Sequence, residues 1–230
     1  MCGRYSLTTP VESLRRLFEF PELPNLAPRY NVAPTQEAPV VRRGDDGDSH
    51  LALLRWGLIP SWAKDRTIAS RLINARAETV ATTNAFRAAF KSRRCLVLAD
   101  GFYEWRTEGD RRQPHRIVRA DGGAFAMAGL WESWRDKAGD TVLESFTIIT
   151  TEANALVKTI HARMPVILDA HDHAAWLGSP AIEERRALLR PCPPEMLHAY
   201  RVGPRVNSPR NDDAACIADA PPPAEMPRLL

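Results

Sequence analysis

Residues 95–134 read CLVLADGFYEWRTEGDRRQPHRIVRADGGAFAMAGLWESW, and this stretch decides the fold class. Cys95–Ala99, Phe102–Arg106, Arg116–Arg119 and Ala124–Trp134 are short apolar, aromatic or β-branched runs. Turn formers separate them, notably Glu108-Gly109-Asp110-Arg111 and Ala120-Asp121-Gly122-Gly123. Strands this close leave no room for the crossover of a dozen or more residues that a parallel pair needs, so antiparallel pairing is expected. Working outward, Val142–Thr150 continues the series after a turn over residues 136–140. Upstream, Pro39–Arg43 and Leu51–Trp56 flank the turn-forming run Gly44-Asp45-Asp46-Gly47-Asp48-Ser49, which predicts a hairpin.

Helices flank this β-rich middle. Thr9-Pro10-Val11-Glu12 offers a hydroxyl N-cap, a proline in the first turn and a glutamate at the capping-box position. Leu14, Leu17 and Phe18 then share one face of a helix expected to end near Phe20. Residues 21–38, rich in proline and asparagine, are expected as loop. Further helices are expected over residues 84–91, 152–159, 171–177 and 181–189. The pattern is α+β: a single domain over residues 2–216 with an antiparallel β-sheet or barrel core and flanking short helices. The proline-rich residues 217–230 are expected to form a flexible tail.

Composition narrows the class. The chain has 230 residues, 44% hydrophobic and 26% charged, as an ordinary globular protein does. Such a length buries roughly 70–75% of the unfolded surface, enough for a core without metal or disulfide. No apolar run approaches the ~20 residues of a membrane span. The N-terminus lacks the apolar stretch of a secretory signal. A soluble, cytoplasmic protein is expected. Lys+Arg 31 against Asp+Glu 28 leaves +3, too little for a tail that coats nucleic acid but compatible with a local basic groove. Cysteines at 2, 95, 192 and 216 form no C-x-x-C pair, so reduced thiols are expected, with no metal site and no cofactor. The tryptophans at 56, 105, 131, 134 and 176 are assigned to the core. The doublets Arg42–Arg43, Arg93–Arg94 and Arg111–Arg112 are assigned to solvated strand ends.

Cys2 is the most informative residue. Removal of Met1 exposes an amine and a thiol two carbons apart. The α-amine, with a pKa of about 7.7–8.0, is partly neutral near pH 7 and condenses with an aldehyde to an imine. The thiol then closes onto the imine carbon, giving a five-membered thiazolidine in an intramolecular step. Taken alone, Cys2 also reads as a cysteine that merely follows the start codon. Its context is more specific. Met1-Cys2-Gly3-Arg4-Tyr5 is followed in order by Tyr30–Thr35, Trp56–Trp62, Ile73–Thr79, Asp100–Trp105 and His161–Pro165, with a weaker echo at Val206-Asn207-Ser208. Together these motifs resemble the SRAP (SOS response-associated peptidase) family.

The resemblance implies a sensor of abasic sites that bonds covalently to single-stranded DNA, as a monomer and with no membrane partner. It implies Cys2 as nucleophile, Asn74 as the residue orienting the cysteine and the opened sugar, Glu104 as acid/base, and His161 as an aid to ring opening. Arg4, Arg76 and Arg163 would hold phosphates. Pro34 and Trp62 would sit where the strand bends, and Asn31 would support the Cys2 loop at the DNA-binding surface. Some members carry a second tryptophan where this chain has Ala63, and some a basic residue near Asn84; both departures concern DNA grip.

Elementary chemistry agrees with these roles. An abasic sugar is mostly a closed hemiacetal, and a carboxyl of raised pKa suits proton transfer to its departing hydroxyl. Glu104 lies in the apolar run GFYEW, where an idle carboxylate is costly to desolvate; an edge-strand glutamate facing water is the other reading. Histidine donates or accepts near pH 7, although His161 also fits a hydrogen-bonded residue at a helix end. Asn74 equally suits a turn. Arginine forks match phosphates, and an exposed tryptophan stacks an unpaired base. Three competing readings remain: an N-terminal-nucleophile cysteine hydrolase, a peptidase acting on other proteins, and a noncovalent DNA-binding module.

Overall fold

The run without alternation at Cys95–Ala99 is buried on both faces, and the fold is arranged around it. In the computed structural model, which describes residues 2–136, 141–178 and 181–220, the strands in chain order are β1 (Tyr5–Leu7), β2 (Arg29–Val32), β3 (Glu37–Arg43), β4 (Ser49–Trp56), β5 (Asn74–Arg76), β6 (Arg94–Ala99), β7 (Gly101–Glu108), β8 (Arg111–Arg119), β9 (Phe125–Arg135), β10 (Val142–Glu152), β11 (Arg163–Pro165), β12 (Ile167–Leu168) and β13 (Leu197–Arg201). The helices are α1 (Val11–Phe18), α2 (Arg87–Ser92), α3 (Ala155–Lys158), α4 (His173–Leu177) and α5 (Ile182–Ala187), with 3₁₀ turns between some of them.

Two sheets result. The first has the order β13-β8-β7-β1-β2 and is antiparallel throughout. In the second, β10, β4, β3, β6 and β9 pair in sequence, and β9 pairs back to β10, so five strands close into a barrel. Strand β6 explains the missing alternation. Cys95, Val97 and Ala99 face a cluster shared with Val40, Trp56 and Phe146, and with Tyr5 and Phe102 of the first sheet. Leu96 and Leu98 face a second cluster with Leu14, Phe18, Phe90 and Trp176 from the helices. The barrel is tight at Gly129, where a Cβ would stand 2.7 Å from Val97 and 2.8 Å from the Cys95 sulfur.

Most pairings are antiparallel as expected, but β10 runs parallel to both β4 (Ser145↔Arg55) and β5 (Ile148↔Asn74). The chain between these partners is long enough for a crossover, which the spacing of neighbouring strands does not reveal. The expected loop at 21–38 contains β2 and the start of β3. Helix α1 begins at Val11 with Pro10 as N-cap and no side-chain cap, because the Thr9 hydroxyl and N–H turn to Asp100. The helix ends at Phe18, since Glu19 adopts a left-handed φ of 55°. Leu17 is 43% exposed, so only Leu14 and Phe18 of the expected face are buried. The expected helix at 152–159 shrinks to α3, as β10 continues through Glu152, and residues 170–172 form a 3₁₀ turn before α4.

Trp56, Trp134 and Trp176 are core, whereas Trp105 and Trp131 are half-buried. Arg94 is not a solvated end: it is buried, its guanidinium donating to the carbonyls of Trp176, Phe90, Lys91 and Gly178. Arg42 lies 4.2 Å over the Trp131 ring and forks to Glu144. The four cysteines are buried free thiols. Within the expected tail, Asp219 bridges to Val202 and the Ala220 N–H donates to Arg201; residues 221–230 and the turn residues 137–140 lie outside the described residues. Among the described residues, no helix is long and apolar enough to cross a membrane.

Candidate active site

Strand β1 lies between β7 and β2, with Tyr5 opposite Phe102 and Val32, and the Tyr103 N–H donates to the Arg4 carbonyl at 3.0 Å. Continuing that register toward the N-terminus brings Gly3 abreast of Glu104. Gly3, Arg4, Glu104, Trp105, Arg112 and Asn207 line one cavity of about 480 Å³. Cys2 is fully buried beside it, its Sγ 3.9 Å from the Arg4 carbonyl. Burial, and then the negative charge of Glu104, push the thiol well above its ordinary pKa.

The far end of β1 is clamped by Asp100. Its carboxylate accepts from the Ser6 hydroxyl (2.7 Å), the N–H groups of Thr8 and Thr9, the Thr8 hydroxyl (2.8 Å) and the Arg116 guanidinium (2.9 Å). Arg116 in turn fills the space beside Gly101, where a Cβ would lie 2.6 Å from its Nε. This clamp fixes β1 against β7 and thereby fixes Cys2 relative to Glu104.

Asn74 and Glu104 border Cys2, and His161 stands beside Glu104. Asn74 opens β5, and pairing with β10 turns it inward so that its Nδ2 donates to the Cys2 carbonyl at 2.9 Å. Its Oδ1 is buried and has no hydrogen-bond partner among the described residues. Glu104 is 1% exposed, so it is not an edge residue facing water, and desolvation raises its pKa against the opposing pull of positive charge from His161 and Arg112. His161 follows α3, which Asn154 caps through the Val157 N–H (2.9 Å). The His161 N–H donates to the Val157 carbonyl at 2.8 Å. Its Nδ1 stands 3.9 Å from Glu104 Oε1 and 3.0 Å from the Arg163 backbone nitrogen.

The other expected residues divide by exposure. Arg76 is exposed on β5, and Trp62 is 51% exposed in a turn. Pro34 is half-buried in a turn whose next residue, Thr35, has φ 76°. Arg163 forks to Glu78 and donates to the Thr150 carbonyl. Arg4 borders the cavity but is pinned by Asn31 Oδ1 (3.0 Å) and the carbonyls of Val206 (2.7 Å) and Asn207 (3.2 Å). Asn31, expected to support the Cys2 loop at the DNA-binding surface, accepts from Arg4, two residues from Cys2. It is fully buried, and its Nδ2 donates to the carbonyls of Val206, Ser208 and Asn211, so it latches the C-terminal segment onto β2 and Arg4.

Sequence reasoning missed Trp105, Arg112 and Asn207 as cavity residues. Trp105 Nε1 donates to Asn207 Oδ1 at 2.8 Å. Arg112 pairs with Thr107 while Pro114 pairs with Trp105, so the hairpin puts Arg112 on the Trp105 face. The turn at 108–111 carried that signal, since it sets the register.

Residues 1–209 match the family model described as SOS response associated peptidase (SRAP). The chain is 43% identical over 225 residues to the abasic site processing protein YoaM of Bacillus subtilis (strain 168), covering 94% of this chain and 97% of that protein. It is 30% identical over 261 residues to the abasic site processing protein HMCES of Xenopus tropicalis, covering 95% of this chain and 78% of that protein. A crystal structure of a protein from Bacteroides thetaiotaomicron superposes with a TM-score of 0.87 at 29% identity, covering 95% of this chain and all of that one.

Proposed function

This chain belongs to the SOS response associated peptidase family, and on that premise we propose that it processes abasic sites by a covalent route. It binds single-stranded DNA as a monomer, without a cofactor, inside the cell, and links Cys2 to the ring-opened sugar as a thiazolidine. The observation that carries this reading is the convergence of Asn74 and Glu104 on Cys2, with His161 3.9 Å from the Glu104 carboxylate.

Once Met1 is removed, the Cys2 amine attacks the aldehyde carbon and the carbonyl oxygen leaves as water. Glu104, kept protonated to higher pH by burial, supplies the proton that this departing hydroxyl needs. The thiol then adds across the C=N bond, sulfur to carbon and proton to nitrogen. The unpartnered Asn74 Oδ1 accepts from the amine or from a sugar hydroxyl, and His161 assists opening of the hemiacetal. Arg76 and Arg163 hold phosphates, as do the N–H groups left to Arg4, and Trp62 with Pro34 faces an unstacked base. Single strands are preferred because the sugar must be splayed into the cavity, and unstacking costs least where no partner strand exists.

The thiol's environment favours this route over a cysteine hydrolase. A hydrolase needs a thiolate stabilised by nearby positive charge, whereas burial raises the pKa of this thiol. Ring closure after imine formation needs no prior ionisation. Mixing the protein with single-stranded DNA bearing an abasic site is expected to give an adduct that survives heat and denaturant. Cys2→Ala, or a blocked N-terminus, loses that adduct while intact DNA still binds. An equally stable crosslink from Cys2→Ala overturns the thiazolidine, and amide hydrolysis without adduct supports the hydrolase.

A further inference from the structure

Glu78 lies within the motif Ile73–Thr79 yet has no part in the chemistry above. Its carboxylate receives a two-point fork from Arg163, Nη1 to Oε1 at 2.5 Å and Nη2 to Oε2 at 3.0 Å. Nη2 also donates to the Thr150 carbonyl at 2.6 Å, and the Arg163 Nε is buried without a partner among the described residues. Little of the guanidinium is left for another anion. Arg76 stands nearby, since Thr150 of β10 pairs with Arg76 on one side and Pro165 on the other. The hydrogen bond from Arg163, with added charge from both arginines, holds Glu78 below its ordinary pKa, so it is ionised at neutral pH. Two arginines suited to phosphate therefore share one patch with an acid already seated on one of them.

We infer that Glu78 is a specificity-determining residue: in the DNA-free chain its carboxylate occupies the seat on Arg163 that a backbone phosphate takes. The inference rests on the single-stranded DNA reading. A planar guanidinium fork matches a carboxylate and a phosphate alike, so the two anions compete for the same donors. The difference in exposure says which partner moves. The Glu78 side chain is 47% exposed and swings into water, whereas Arg163 is 18% exposed and tied to Thr150. A strand that brings few other contacts does not displace the acid. A strand held at the lesion does, and the cost of the exchange falls chiefly on undamaged DNA.

Binding of an undamaged single-stranded oligonucleotide to the full chain, read by fluorescence anisotropy at one salt concentration, tests this. Glu78→Gln is expected to tighten binding about 1.5- to 5-fold, the range an exposed ion pair commands. In an Arg163→Gln background the same change is expected to do nothing, which separates release of Arg163 from a general loss of negative charge. Undiminished tightening in that background overturns the inference. So does weaker binding by Glu78→Gln, which would make the acid a support that aims Arg163 at the phosphate. A wild-type chain that leaves the oligonucleotide unbound removes the DNA reading itself, and with it the inference.

Discussion

Asp100 and Glu104 stand four residues apart at one corner of the first sheet, both buried, and their protonation is driven in opposite directions. For Asp100, burial raises the pKa, but hydrogen bonds from Ser6 and Thr8 and the charge of Arg116 outweigh it and the net shift is downward. For Glu104, burial again raises the pKa, and the surrounding positive charges, His161 and Arg112 among them, do not offset it. The amount of burial therefore does not separate scaffold from chemistry. The balance of terms does: at Asp100 hydrogen bonds and the Arg116 charge outweigh desolvation, so it stays ionised and clamps two strands, while at Glu104 desolvation wins and a proton stays available.

The largest effect that sharpens this contrast is on rate. Glu104→Gln is expected to slow adduct formation about 10²- to 10⁴-fold, read in single-turnover reactions on denaturing gels. In the wild-type chain the rate should fall as pH rises through the elevated Glu104 pKa, and that fall should vanish in the variant. A wild-type rate would make Glu104 as inert as Asp100. Stability is the second readout. A raised carboxyl pKa makes ionisation unfavourable to the fold, so Glu104→Gln should not lower the melting midpoint at pH 7.

Asp100→Ala should behave in the opposite way. It leaves Arg116 buried without its counter-charge and is expected to cost about 3–5 kcal/mol in urea unfolding. The sign with pH follows from the lowered pKa: the Asp100 contribution is complete above the ordinary aspartate value near 3.8 and is lost as pH falls through the lower folded value. The gap between wild type and variant should therefore close in acid, and a gap constant down to pH 2 would mean that the clamp is not ionic. Ser6→Ala is expected to have the smallest effect. It removes one hydroxyl from the network and should cost about 1.5–3 kcal/mol, as a hydrogen bond to a charged group does. Loss of adduct formation in this variant out of proportion to its stability would show that the clamp also tunes the site.

The limits of sequence reading follow from the same residues. The strands were legible because alternation and turn formers are local, and the hairpins over residues 39–56 and 101–119 pair as their turns demand. Strand β2 was not legible: four residues among prolines and asparagines become a strand only because β1 offers them an open edge. The Thr9 hydroxyl looked like a helix cap, but a carboxylate 91 residues away in sequence claims it. Arg93–Arg94 looked solvated, yet α4 lays its carbonyl ends over Arg94. For the candidate site, the motifs name Cys2, Asn74, Glu104 and His161, but their spacing does not say that Asn74 holds the Cys2 backbone or that Asn31 lies buried under the C-terminal segment.

By itself the amino-acid order determined the α+β class, the positions of most strands and the motifs that mark the family, because each of these is written in residues a few positions apart. Only the tertiary structure decided that β10 joins the barrel through a parallel pairing with β4, that Arg163 sits on Glu78 and that Asp100 and Glu104 part company. Those outcomes depend on donors, charges and excluded water brought from distant segments, and electrostatic energy at a buried atom is set by its neighbours in space.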